Sequence, residues 1–302
     1  AALVGSVTTR NDKWPAGSGT TIYVSPDGQG DGAQASPLGS IQKAVDMAKP
    51  GDTVLLSSGV YRESVTVKNS GTRDAYILIK AEPGAVLDGS HDGFLARTGP
   101  TRWDSAPPMQ GRRRRSAEDF IADCDWPVEY VAVNDEKFYG YKTLEDMVLC
   151  RSGAPGGWYQ DVEKGKLYLH MTRSYLNPGA AKVVVSRLNY GLVIDGASFV
   201  LVDGLEVRYF GKAGIDIKGS DNVVQNCLVH HQDLGVNIYG KAYNNNTIQD
   251  CHVFQTSVYR WPWYLTKSTR YEVDNISGRG GRGTVIRRNR ISGSFDGIGL
   301  SV

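Results

Sequence analysis

Four short stretches decide how this chain reads: Val202-Asp203-Gly204-Leu205-Glu206-Val207, Val224-Gln225-Asn226-Cys227-Leu228-Val229, Ile248-Gln249-Asp250-Cys251-His252-Val253 and Ile286-Arg287-Arg288-Asn289-Arg290-Ile291. The first three begin 22 and 24 residues apart, and the fourth follows after 38 because an insertion intervenes. A period of twenty-odd residues, built from short β-branched runs and turns of Gly, Asn and Asp, is too short for a pair of helices. It fits one coil of a β-solenoid, whose apolar face only neighbouring coils can cover. Leu205, Cys227, Cys251 and Asn289 fall in one column. Stacked positions lie about 4.8 Å apart, beyond the roughly 3.8 Å Cβ separation of a relaxed disulfide. Cys227 and Cys251 therefore read as small, reduced, inward-facing neighbours.

Working outward, Thr21-Ile22-Tyr23-Val24 reads as a strand, and Ser40 to Lys49 places Ile41, Ala44, Val45 and Ala48 on one helical face. Pro50-Gly51 stops that helix, and Asp52-Thr53-Val54-Leu55-Leu56 resumes the strand pattern. A helix across the open end of a solenoid covers core that would otherwise meet water. Val65 to Val67, Tyr76 to Lys80 and Ala85 to Asp88 supply the first coils. Three segments follow: 1–93, cap and first coils; 94–187, an inserted small β subdomain; 188–302, further coils, incomplete at the C-terminal side.

The entry Tyr23-Val24-Ser25-Pro26-Asp27-Gly28, Pro50-Gly51-Asp52-Thr53-Val54, Gly59-Val60-Tyr61-Arg62-Glu63 and Ile77-Leu78-Ile79-Lys80-Ala81 resembles that of many β-helix carbohydrate enzymes. It is similar to the chondroitinase B–alginate lyase family and to β-helix glycosidases such as certain β-xylosidases. The resemblance implies an all-β, right-handed parallel β-helix with an N-terminal capping helix, and an inward asparagine ladder that Asn289 continues. It also implies a secreted or periplasmic protein. It specifies fold better than reaction, since one scaffold hosts both chemistries.

From Phe94 to about Arg187 the period disappears. Gly157-Trp158-Tyr159-Gln160-Asp161 and Lys166-Leu167-Tyr168-Leu169-His170 read as two strands around a polar turn, a pair that resembles the small β-sandwich inserted in some β-helix glycosidases. Cys124 and Cys150, both in this segment, are the expected disulfide. The run Arg112-Arg113-Arg114-Arg115 reads as an exposed loop. Four basic residues in a chain of net charge +2 give no case for a nucleic-acid partner. No apolar run is long enough to span a membrane.

A second departure, about Thr256 to Gly283, carries Tyr259, Arg260, Trp261, Trp263, Lys267, Arg270 and Glu272. Sugar rings stack their C–H faces on indole and phenol rings, and Arg or Lys pairs with uronate carboxylates. The substrate-binding set is His231, Tyr259, Arg260, Trp261 and Trp263. The catalytic set is Asp233, Lys267, Arg270, Glu272 and Asp296. Glycoside hydrolysis needs two carboxyls about 5 to 9.5 Å apart, which acids on neighbouring coils can supply. Elimination needs a base and a cation for the developing enolate. In the lyase family that role involves calcium-binding acids on successive coils, yet Ile298-Gly299-Leu300 stands here where glutamates are expected. No metal ligands are assigned, and calcium enters only if the reaction is elimination. Of His230 and His231, one is expected to face solvent and the other the core. The expected function is degradation of an acidic polysaccharide by hydrolysis or elimination; the alternative is a non-catalytic carbohydrate-binding or attachment solenoid. The apolar strand Phe295 to Val302 raises the expectation of a further chain or missing C-terminal segment over that end.

Overall fold

The computed structural model describes residues 14–15, 17–95, 103–106, 119–154, 156–171, 181–256, 264, 273–279, 281–294 and 296–301. Three parallel sheets run the length of a solenoid, and each coil contributes one strand to each in turn. In the first sheet Thr21–Val24, Thr53–Leu56, Ile77–Ala81, Val200–Asp203, Val223–Gln225, Thr247–Gln249 and Val285–Arg287 stack in that order. The second stacks Gly59–Tyr61, Ala85–Asp88, Glu206–Arg208, Leu228–His230, His252–Phe254 and Arg290–Ser292. The third stacks Val65–Val67, Tyr190–Asp195, Ala213–Lys218, Leu234–Tyr239, Asp274–Arg279 and Asp296–Ser301.

The expected register is present: Val202, Val224, Ile248 and Ile286 are successive partners. Val207, Val229, Val253 and Ile291 align in the second sheet, and Leu192, Ile215, Val236 and Ile276 in the third. The three inward columns share one apolar core that includes the buried, free Cys227 and Cys251. Asn289 turns inward as expected: its Oδ1 accepts from Cys251 N at 2.9 Å, and its Nδ2 donates to Ile248 O at 2.9 Å. A second ladder, at the turn from the third sheet to the first, was not read from the sequence. There Asn222 and Asn246, both fully buried, bind backbone of adjacent coils; Asn246 Oδ1 accepts from Asn222 N at 3.0 Å and its Nδ2 donates to Gly219 O at 2.9 Å.

The capping helix spans Ile41–Met47, with Ser40 as its N-cap and Ile41, Ala44 and Val45 buried. Glu63 takes up its first amides, accepting from Ile41 N at 2.7 Å and Gln42 N at 3.2 Å, where a negative charge also meets the positive helix end. Asn69 Nδ2 donates to the last carbonyls, among them Asp46 O at 2.9 Å.

The chain leaves the second sheet at Asp88 and rejoins the third at Tyr190. Between them, a five-stranded sheet built around the antiparallel pair Gly156–Asp161 and Lys166–Met171 faces a three-stranded one containing Val131–Val133 and Val183–Val185. Trp158, Leu167, Leu169, Val131 and Val183 belong to a core separate from the solenoid's. The expected Cys124–Cys150 disulfide is corrected: both thiols are free. Cys124 directly follows the strand Asp119–Asp123, whereas Cys150 lies in the turn after the helix Leu144–Val148. The arginine run 112–115 lies outside the described residues.

Candidate active site at one corner of the solenoid

Each coil turns three corners, and from Tyr190 onward each corner holds a residue in the left-handed region. From first to second sheet these are Gly204, Asn226, Asp250 and Arg288; from third to first, Phe199, Asp221, Asn245 and Gly283. Most are Gly, Asn or Asp, which adopt that conformation at little cost. From second to third sheet the series is Tyr209 (φ 63°), His231 (57°), Gln255 (52°) and Gly293 (62°). Three consecutive large side chains in this region cost about 1–3 kcal/mol each and persist only where the surroundings impose them. Both insertions leave the solenoid at this same corner: the β subdomain after Asp88, and the second between Phe254 and Asp274. The second insertion is shorter than the sequence implied, because the expected loop to Gly283 contains the third-sheet strand Asp274–Arg279.

The subdomain is pinned to the corner by charge. Lys137, almost buried, forms an ion pair with Asp233. Lys182 bonds both Tyr209 Oη and Asp135, and Tyr209 Oη donates to Asp135 at 2.9 Å. Burial works against the Asp135 carboxylate, but Lys182 and Tyr209 outweigh it and hold its pKa low. Beside them, fully buried Asp88 accepts from Ser90 N at 2.9 Å and from Arg208 Nε at 2.8 Å, and Arg208 also donates to Glu206 at 2.9 Å. His230 contacts Glu206 at 3.3 Å; this contact and Arg208 keep Glu206 below the usual carboxylate range.

His230 and His231 share an Nδ1···Nδ1 hydrogen bond of 2.5 Å. Neither faces solvent, contrary to expectation; both are buried, His231 because its left-handed backbone turns the ring toward Tyr209. Burial, reinforced by His230, pulls His231 down to about 4. Phe254 stacks on His230 (4.8 Å, 17°) and His252 (4.4 Å, 28°).

On the third sheet, Leu234 and Asp274 occupy successive coils, and Asp274 pairs in register with Asp296. Two acids on adjacent coils have backbones about 4.8 Å apart. Gly299 leaves room for the Asp274 carboxylate, which an added Cβ there would strike. Asp233 belongs elsewhere: its coil is two removed from that of Asp296, roughly 10 Å away, and its carboxylate is taken by Lys137. The expected grouping of Asp233 with Asp296 is therefore corrected, and Asp296 begins a strand rather than sitting in a turn. Asp274 was missed because the loop reading absorbed it, although Asp274-Asn275-Ile276 repeats the placement of Leu234-Gly235-Val236 and Asp296-Gly297-Ile298.

The outer face of the third sheet carries Lys218, Tyr239 and Arg279 on three successive coils. Tyr239 is 57% exposed, with the Arg279 guanidinium 5.6 Å from its ring centre. Lys218 lies 5.7 Å from the Tyr190 ring and bonds Asp216 at 3.1 Å. None of these had been singled out, because alternation along this sheet was not read. Tyr259, Arg260, Trp261, Trp263, Lys267, Arg270 and Glu272 lie outside the described residues. Among the described residues no three His, Cys, Asp or Glu side chains converge to hold a metal ion. Among the described residues, Asp274 and Asp296 alone do not make a calcium site. No helix among the described residues is long and apolar enough to cross a membrane.

The chain is a right-handed parallel β-helix protein: residues 187–302 match the family described as the right handed beta helix region, and its three stacked parallel sheets show the architecture directly. The chain spans a fifth or less of the curated relatives described next and little more than half of the solved structures. Over 82 residues it is 40% identical to Pectate lyase PEL9 of Emericella nidulans, covering 25% of this chain and 20% of that one. Over 73 residues it is 38% identical to the uncharacterized protein YwoF of Bacillus subtilis, covering 24% and 15%. The structure of XylC in complex with xylose superposes with a TM-score of 0.62 at 16% identity, over 93% of this chain and 60% of that one. Pectate lyase Pel9A gives 0.52 at 15% identity, over 94% and 51%.

Proposed function

We propose that the chain is the β-helix of an extracytoplasmic enzyme that hydrolyses an acidic polysaccharide at the corner between the second and third sheets. The observation that carries this reading is the in-register pair Asp274–Asp296. Carboxyl groups on adjacent coils fall near the roughly 5–5.5 Å spacing of retaining glycosidases. One acid protonates the departing glycosidic oxygen while the other attacks the anomeric carbon; the first, now a base, then takes a proton from the water that displaces the second and releases the sugar. Tyr239 offers a ring for a sugar face, with Arg279 and Lys218 on flanking coils to pair with carboxylate substituents.

Elimination is the second reading, supported by the local 40% identity to a pectate lyase. Arg279 would then face the uronate carboxylate as charge develops on it. A panel of acidic and neutral polysaccharides, assayed for reducing ends and for unsaturated-uronate absorbance, separates the two: reducing ends without absorbance mean hydrolysis. Asp296→Asn should lower turnover on the order of 10²–10⁴-fold with little loss of binding. Binding without turnover in the unsubstituted protein would favour the non-catalytic solenoid. Fractionation of the producing cells tests the placement outside the cytoplasm.

A further inference from the structure

We propose that the outer face of the subdomain's five-stranded sheet is a second carbohydrate site, which takes a neutral stretch of a linear polysaccharide on Tyr159, Tyr168 and Ile121. Along its strands Phe120, Trp158, Leu167 and Leu169 point into the subdomain core, so the residues between them point outward. Tyr159 lies opposite Tyr168, and Tyr168 opposite Ile121 on the next strand. The three half-buried side chains form one row across adjacent strands, roughly 10 Å from end to end. The two phenol rings lie 6.0 Å apart at 31° and pack against Tyr141, Met147 and Val148 of the neighbouring cluster. Rings held by packing yet partly in solvent suit the C–H face of a sugar, because little rotamer freedom remains to be lost on binding.

The charges around the row select the kind of sugar. On one side Lys166 pairs with Asp123, and Lys164 with Asp161 at 2.7 Å. On the other, the Asp119 carboxylate meets His170 Nδ1 at 2.7 Å. Asp104, exposed and opposite Ile121, adds one more acid. Each of these cations is thus held by a carboxylate and Asp104 is left in excess, so a uronate is repelled rather than drawn. Paired carboxylates and ammonium groups still offer acceptors and donors to sugar hydroxyls. The third sheet of the solenoid differs, since it sets Arg279 beside Tyr239, a cation suited to a carboxylate.

This platform does not depend on the reaction at the solenoid corner. A cross-strand tyrosine pair can also serve sheet stability alone, and binding measurements separate the two roles.

The test is isothermal titration calorimetry with xylohexaose, cellohexaose and an oligogalacturonate of equal length, joined to hydrogen–deuterium exchange. A neutral hexaose should bind and slow exchange in Gly156–Asp161 and Lys166–Met171, whereas the oligogalacturonate should leave those strands unchanged. Tyr159→Ala and Tyr168→Ala should each weaken neutral binding about five- to tenfold, and Tyr168→Phe by less than about twofold, since stacking survives. Arg279→Ala, on the solenoid, should leave neutral binding intact. Thermal unfolding reports whether each variant is folded. If an alanine variant unfolds, the wild-type exchange pattern and Ile121→Ser, which shortens the row, decide. No binding of either neutral hexaose, protection confined to the solenoid, wild-type affinity in a folded tyrosine-to-alanine variant, or equal protection by the oligogalacturonate would overturn the proposal.

Discussion

Two corners of one solenoid, repeated coil after coil, have been put to different uses. At the corner from third sheet to first, Phe199 alone takes the left-handed backbone against its preference, while Asp221, Asn245 and Gly283 take it without strain, and Asn222 and Asn246 tie coil to coil. At the corner from second sheet to third, Tyr209, His231 and Gln255 take the same backbone against their preference, buried charges cluster, and both insertions depart. The difference teaches where the fold is only holding itself together and where it bears a burden that stability alone does not explain. Strain retained next to buried charge is the pattern of a functional site.

The contrast can be broken at several points. The largest stability effect is expected from Asp233→Asn, which removes the Asp233 charge from beside the buried Lys137 ammonium. Removing one partner of a buried pair costs about 3–5 kcal/mol, and chemical denaturation should show it together with faster proteolysis of the subdomain. If Asp233 were an exposed catalytic acid instead, stability would hold and only turnover would fall.

Next is a pH effect confined to the strained corner. The folded pKa of His231, about 4, lies below its ordinary 6.5, so between those values the unfolded chain binds more protons. Stability should therefore fall by about 3 kcal/mol as pH drops from 6.5 to 4. The lowered carboxylates Glu206 and Asp135 add loss in the same direction at lower pH still. Titrating Tm for His231→Asn should show a flatter slope over that window.

At the relaxed corner, Asn246→Ala should cost about 2 kcal/mol, because it leaves Asn222 N and Gly219 O buried without partners. A sub-kcal loss would show that the ladder is dispensable. The smallest expected change has the opposite sign. Gln255→Gly should raise stability by about 1 kcal/mol by relieving the left-handed strain, whereas Asp221→Gly should change little. Equal effects at the two positions would erase the contrast.

Much of this architecture was legible in the sequence, and the reasons are physical. The columns Val202–Ile286 and Cys227–Asn289 recur because every inward position must fit beneath its neighbour, so spacing and residue type repeat together. The capping helix announced itself through Ser40, its apolar face and Pro50-Gly51. The third sheet was harder to read, since its strands follow a corner of variable length and lose the fixed spacing of the other two. Asp274 was hidden for that reason, and with it the pairing with Asp296. Asp233 looked like a catalytic acid because nothing in its local sequence shows Lys137, which arrives from 96 residues away. The disulfide failed similarly: two cysteines in one segment say nothing about whether their sulfurs meet.

The central claim is that polysaccharide engages the second-to-third corner and the outer face of the third sheet. Hydrogen–deuterium exchange of the chain with and without each member of the polysaccharide panel tests it most directly. The account predicts that an acidic polysaccharide slows exchange in Ala213–Lys218, Leu234–Tyr239 and Asp274–Arg279, leaving Val200–Asp203, Val223–Gln225 and the turns at Asn226 and Asp250 unchanged. Protection confined to the first sheet and those turns, or none with any polysaccharide, would contradict it.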